Sequence, residues 1–117
     1  MRTIVPSEAY EQELLVNWLQ ENAYKHCAFA QSTFTRSWGQ KAKNKRLGVV
    51  PGWPDLVVVL KRSKLLWIEM KRCKPASSRL SAEQKIWQQT LNLCGTRAIV
   101  CYGAAEAIAA VEKEEQA

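Results

Sequence analysis

Hydrophobic and polar residues change period several times along this chain, and each change marks an element. Pro6-Ser7 offers a helix N-cap with acidic residues just behind it, and residues 7–21 read as a helix. At about 100° per residue, Leu14, Leu15, Trp18 and Leu19 share one face. Glu11 lies near the middle of that apolar face and Glu8 nearer its edge. Residues 25–33 have moderate β-propensity and read as a strand. Residues 37–47 are polar and basic, a short helix or a loop, with Gly48 as a stop. From Gly52 the chain turns apolar: one strand runs to Leu60, a basic turn spans 61–64, and a second strand runs from Leu65 to Lys71. Ser81-Ala82-Glu83-Gln84 forms a capping box that opens a helix over 82–94, with Ile86, Trp87, Leu91 and Cys94 near helical spacing and Gly95 closing it. Residues 96–102 read as a strand, and a strand that follows a crossover helix lies parallel to the one before it. Ala104 to Glu115 is a last helix. The order αβ(α)ββαβα defines an α/β protein, read as one domain over 1–117.

Three charges break this pattern. Asp55 stands at the mouth of the first hairpin strand, and Glu69 and Lys71 stand at the end of the second. A strand that carries charge into a core needs a partner or a metal to offset the desolvation. Alternation places Trp67, Glu69 and Lys71 on one face and Leu66, Ile68 and Met70 on the other. Whether Asp55 joins Glu69 depends on register. Opposed residues share a face, so the numbers of each opposed pair must total an even value. A regular four-residue turn over 61–64 pairs Leu60 with Leu65, an odd total, and puts Asp55 and Glu69 on opposite faces. A shared site therefore demands an odd-length loop or a β-bulge in this hairpin.

Charge adds direction to that reading. The net charge is +6, and twelve of the seventeen basic residues fall between Arg36 and Arg79. Lys41, Lys43, Lys45 and Arg46 precede the hairpin, and Arg72, Lys74 and Arg79 follow it, as a phosphate track requires. The four cysteines have no C-x-x-C spacing and the single His26 has no zinc-like partner, which argues for reduced thiols rather than a zinc site. No signal peptide or membrane-length apolar run is present, and the expected location is the cytoplasm. Trp38, Trp53 and Trp67 are candidates to stack on unpaired bases, although Trp67 fits core packing better.

Paired carboxylates are hard oxygen ligands suited to Mg²⁺ or Mn²⁺. With Asp55 and Glu69 as ligands, Lys71 would position a water or meet charge on phosphorus, and Gln84 would orient a water or contact the backbone. A glutamate from the first helix, Glu11 or Glu8, would complete the set. Glu11 has the inward face, though the first turn of a helix welcomes an acid whatever it faces. The bland alternative is a surface Glu69–Lys71 pair and a turn aspartate after Pro54.

The blocks Gly52-Trp53-Pro54-Asp55, Ile68-Glu69-Met70-Lys71 and Leu80-Ser81-Ala82-Glu83-Gln84 resemble the PD-(D/E)XK nuclease superfamily and, more narrowly, the VRR-NUC family. The resemblance implies a restriction-endonuclease-like core, a mixed β-sheet flanked by helices. It implies metal ligation by Asp55 and Glu69, the Met70 carbonyl as a third ligand, Lys71 as catalytic, and a first-helix acid near Gln12, to which Glu8 has the fitting spacing. It further implies a stand-alone phage or prophage protein that cleaves branched DNA in the manner of Holliday-junction resolvases, as a homodimer. The competing readings are a non-catalytic nucleic-acid-binding module and a sequence-specific restriction-type endonuclease.

Overall fold

A computed structural model of the chain describes residues 4–26, 28–32, 46–77 and 79–117, except for the Tyr24 side chain. Among them run α1 (Glu8–Glu21), β1 (Ala28–Gln31), β2 (Leu56–Leu60), β3 (Lys64–Lys71), α2 (Ala82–Leu93), β4 (Arg97–Tyr102) and α3 (Ala104–Gln116). The four strands form one mixed sheet in the order β1-β2-β3-β4, flanked by the helices. The first two pairings are antiparallel and β3 with β4 is parallel, as the crossover through α2 requires. No described helix is long and apolar enough to cross a membrane.

Capping fixes where the helices begin. The Ser7 hydroxyl accepts the Tyr10 N–H at 3.1 Å and starts α1. At α2 the Ser81 hydroxyl accepts the Gln84 N–H at 3.1 Å while the Gln84 side chain accepts the Ser81 N–H at 2.9 Å. This is the reciprocal capping box that the sequence announces.

The core is one face of the sheet closed by two helices. Leu56, Val58 and Leu60 of β2 and Leu66, Ile68 and Met70 of β3 are buried against Leu15 and Leu19 of α1 and Ala107 and Val111 of α3. Full burial of each large side chain contributes roughly 1.5–3 kcal/mol before chain entropy is subtracted. The other face is covered by α2, whose Trp87 ring meets Trp53 edge-on at 5.0 Å, while Trp53 meets Trp67 at 5.1 Å.

Several boundaries differ from the sequence reading. Within the strand expected over 25–33, Ala28–Gln31 is strand and Lys25 instead ends the 3₁₀ turn Ala23–Lys25, while Cys27 and Thr33 lie outside the described residues. The first hairpin strand begins at Leu56 rather than Gly52, since Gly52 holds φ +81° and Pro54 cannot donate to a ladder. Leu14, expected inward, is exposed at the edge of the face on which Leu15 and Leu19 are buried and Trp18 packs against the core. Ile86 of α2 and Cys94 at its C-cap are likewise exposed, and Leu91 is the buried residue of that helix. The short helix or loop over 37–47 lies outside the described residues except at 46 and 47. Cys73, Cys94 and Cys101 are free thiols, and Cys27 lies outside the described residues.

Candidate metal centre

The hairpin register decides the site. Leu60 pairs with Lys64 and Leu56 with Ile68, leaving a three-residue loop of Lys61, Arg62 and Ser63. The odd-length loop required above is present. Carried one residue beyond the ladder, this register sets Asp55 opposite Glu69 on one face. Arg62 and Ser63 make the turn with φ of 65° and 62°, in the left-handed region that non-glycine residues avoid.

Asp55 is anchored from both sides. Its carbonyl accepts the Ser32 N–H at 2.9 Å, just past β1, and the Ser32 hydroxyl donates to the Pro54 carbonyl. Its carboxylate accepts the Met70 N–H at 2.8 Å, which ties it to the backbone between Glu69 and Lys71. Upstream, Gly52 packs where no other residue fits: an added Cβ would lie 2.6 Å from the Glu83 backbone and 2.7 Å from the Gln84 nitrogen. The Pro51 carbonyl accepts the Trp87 indole N–H at 3.0 Å. The Gly-Trp-Pro-Asp segment is thus keyed onto the first turns of α2.

Glu8, Asp55 and Glu69 come together. One carboxylate oxygen from each lies within 4.8 Å of the others, from α1, the start of β2 and the end of β3. Glu69 is 3% exposed. Burial first, then its hydrogen bond to Asp55 and the charges of Asp55 and Glu8, push its carboxyl up to about 9 against the pull of Lys71. Burial and then the Asp55 charge also raise Glu8. Three acids crowded until one holds its proton form a site short of positive charge. Hard oxygen donors at this spacing fit a Mg²⁺- or Mn²⁺-sized ion.

Lys71 is buried beside them, and its ammonium donates to Gln84 Oε1 at 3.3 Å. The same oxygen accepts the Ser81 N–H, so the capping box pins Gln84 and Gln84 in turn steadies Lys71. Gln84 is therefore engaged with Lys71 and with the Ser81 N–H of its own helix cap. Met70 shows its N–H toward Asp55 and buries its side chain in the core.

The two first-helix acids, Glu8 and Glu11, part by position: Glu8 stands in the carboxylate group. Glu11 is buried as its inward phase predicts, yet it accepts the Ala104 N–H at 2.8 Å instead of joining the carboxylate group. Arg72, expected on a DNA track, donates to the Val5 and Pro6 carbonyls at 2.7 and 3.0 Å and fastens the segment leading into α1. Lys74 lies 4.7 Å over the Tyr102 ring and, like Arg46 and Arg79, is exposed. Lys41, Lys43, Lys45 and Trp38 lie outside the described residues. Ser32, Gly52 and Arg72 escaped the sequence reading as positioning contacts. Only Gly52, a glycine immediately ahead of Trp-Pro-Asp, carried a local signal of close backbone approach.

A fold of this kind, with an acidic triad and a lysine at one end of a mixed sheet, defines a candidate metal-dependent hydrolase. A solved structure of a VRR-NUC domain protein superposes with a TM-score of 0.74 at 23% identity, covering 97% of this chain and 89% of that one, which shows a shared fold. No curated protein matches the chain. Residues 3–105 match the VRR-NUC domain family. The chain belongs to that family and so to the nuclease superfamily it falls in.

Proposed function

We propose that the protein is a Mg²⁺- or Mn²⁺-dependent DNA endonuclease that hydrolyses phosphodiester bonds. The observation that carries this reading is the convergence of Glu8, Asp55 and Glu69 within 4.8 Å beside the buried Lys71. Glu8, Asp55 and Glu69, with the Met70 carbonyl, would hold the ion. When bound, the ion polarises a phosphate oxygen and lowers the pKa of a coordinated water. Asp55 is held ready by the Met70 N–H. Lys71 presents its ammonium toward the carboxylates, where it can orient a water or neutralise charge building on phosphorus. Gln84 fixes the lysine at the start of α2.

The preference for branched DNA, the homodimer and a phage- or prophage-encoded setting in the bacterial cytoplasm belong to the same proposal. The family resemblance supports them, and the +6 charge supports a polyanionic partner. A single site per chain needs a second copy to cut two strands at a symmetric junction.

The experiment is cleavage of supercoiled plasmid, linear duplex and a four-way junction in Mg²⁺, Mn²⁺ and EDTA, beside Lys71→Ala. Junction cutting that needs metal and is lost in Lys71→Ala is the expected result. Binding without cleavage in either metal would leave a nucleic-acid-binding module. Cutting at one duplex sequence regardless of branching would identify a restriction-type enzyme.

A further inference from the structure

Glu11 sits one helical turn beyond Glu8 on α1, is 6% exposed, and is absent from the carboxylate group. Its Oε1 accepts the N–H of Ala104, the first residue of α3, at 2.8 Å. The residue before it, Gly103, donates its N–H to the Lys71 carbonyl at 2.9 Å. Two hydrogen bonds therefore link three elements at one point: α1 through Glu11, α3 through its first residues, and β3 through the backbone of Lys71. Gly103 leaves the room for this. A Cβ there would lie 3.3 Å from Glu11 Oε1 and 2.4 Å from Cys73 Sγ, at a φ of +97°.

A buried carboxylate one turn before Leu15 on α1 is not what packing asks for. An aliphatic residue would continue the apolar stripe without desolvating a charge. The acid instead satisfies an orphan N–H at a helix start, where negative charge is favoured. Its geometric consequence is that the first turn of α1 is locked in rotation and height against the strand end that carries Lys71. Glu8 projects from that same turn.

We infer that Glu11 is a positioning residue: by holding the α1–α3–β3 junction, it sets the Glu8 carboxylate and the root of Lys71 in one fixed arrangement. The inference rests on the metal reading of the site. Glu11 touches neither metal nor substrate and acts through the α3 N-terminus.

The test compares Glu11→Leu, which removes the acceptor, with Glu11→Gln, which keeps it. A core control, Val111→Ala, weakens α3 packing away from the junction. Two readouts are taken on protein shown to be folded by circular dichroism: Mn²⁺ affinity by calorimetry, and metal-free amide NMR signals of Glu8, Met70 and Lys71. Glu11→Leu is expected to bind Mn²⁺ about ten-fold more weakly, the usual loss for an outer-sphere support. It should also shift the three amide signals. Glu11→Gln should lose no more than about two-fold, and Val111→Ala should match wild type in both readouts. Should Glu11→Leu fail to fold, Glu11→Asp, whose carboxylate stops one methylene short, replaces it with the same expectation. A folded Leu or Asp variant with wild-type Mn²⁺ affinity and unmoved signals overturns the inference. So does Val111→Ala weakening Mn²⁺ equally, since the effect would then be general loosening. Wild-type protein that binds no Mn²⁺ overturns the metal reading instead, and the amide signals alone then decide whether Glu11 holds the junction.

Discussion

The two faces of the β2–β3 hairpin differ more than their sequences suggest. On one face Leu56, Val58, Leu60, Leu66, Ile68 and Met70 are almost fully buried and carry no charge. On the other, Asp55, Glu69 and Lys71 crowd into a pocket of carboxylates beside a ring cluster of Trp53, Trp67 and Trp87. Neighbours in sequence are opposites in role. Ile68 and Glu69 are both buried, but burial stabilises the first and desolvates the second. A charged face can be kept under strain because the apolar face behind it holds the hairpin in place. The comparison also explains why a three-residue loop matters: one register serves both faces, so it cannot slip without disturbing both.

The largest break should come from the charged face. Lys71→Ala and Glu69→Gln should each reduce single-turnover DNA cleavage by about 10²–10³-fold or more, on the scale of a lost electrostatic group. Both should keep the fold, and Glu69→Gln should raise metal-free stability because it removes a desolvated acid. A variant that cuts at near wild-type rate would show that the residue lies outside the reaction. The apolar face should answer in the opposite way. Ile68→Ala should lose about 3 kcal/mol of unfolding free energy by denaturant titration, from transfer and cavity together. Its cleavage rate at a temperature where it stays folded should change far less than in the Glu69 variant. Equal loss of activity would mean that the two faces are not separable.

Much of this division was legible in the sequence, and the reason is local. Alternation alone sorts Glu69 and Lys71 from Ile68 and Met70, and the Ser81–Gln84 capping box is written in four residues. The pairing of Asp55 with Glu69 could be stated as a condition on loop length, although regular turn geometry predicted the other outcome. The parts that were not legible are tertiary. Glu8 and Glu11 sit one turn apart on one helix, and only the placement of α3 sends Glu11 to Ala104 while Glu8 meets Asp55 and Glu69. Arg72 has a partner 66 positions away in Pro6, so a basic residue in a basic cluster turned out to fasten the N-terminal segment. Leu14 and Ile86 followed helical phase but had no surface to meet.

Acidity gives a sharper measure of the charged face. Glu69 has an ordinary value of 4.5, and in the folded chain burial and Asp55 raise it to about 9. Between those values the folded protein binds more protons at this group than the unfolded chain, so its contribution to stability falls as pH rises. It is largest below about 4.5 and lost progressively up to about 9. Glu8 is raised as well and adds with the same sign. His26 is lowered by burial and acts with the opposite sign below its ordinary 6.5, so the informative quantity is wild type against Glu69→Gln, in which His26 cancels. Denaturant titrations in EDTA from pH 5 to pH 8.5 should therefore show the wild type losing ground to Glu69→Gln as pH rises. Saturating Mn²⁺ should flatten the wild-type dependence, because the bound ion favours the deprotonated ligands. Parallel pH profiles for the two proteins in EDTA would contradict the raised acid.

The smallest effect belongs to the turn that both faces share. Arg62 and Ser63 adopt φ of 65° and 62°, where a side chain crowds its own carbonyl. That conformation costs a non-glycine residue about 1–2 kcal/mol, and asparagine and glycine adopt it most readily. Part of any gain from glycine is returned through the freedom it adds to the unfolded chain. Replacing the pair by Asn-Gly (Arg62→Asn with Ser63→Gly) should therefore raise unfolding free energy by about 1 kcal/mol. The substitution leaves the loop at three residues, so Leu60 still faces Lys64 and Asp55 still faces Glu69. Cleavage of a short duplex that does not reach the turn should stay within about two-fold of wild type, an energy of about 0.4 kcal/mol. Greater stability with much slower cleavage would mean that the relaxed turn had let the strands shift. The strained left-handed pair would then be holding the register itself, and the charged face would depend on it more than the apolar face does.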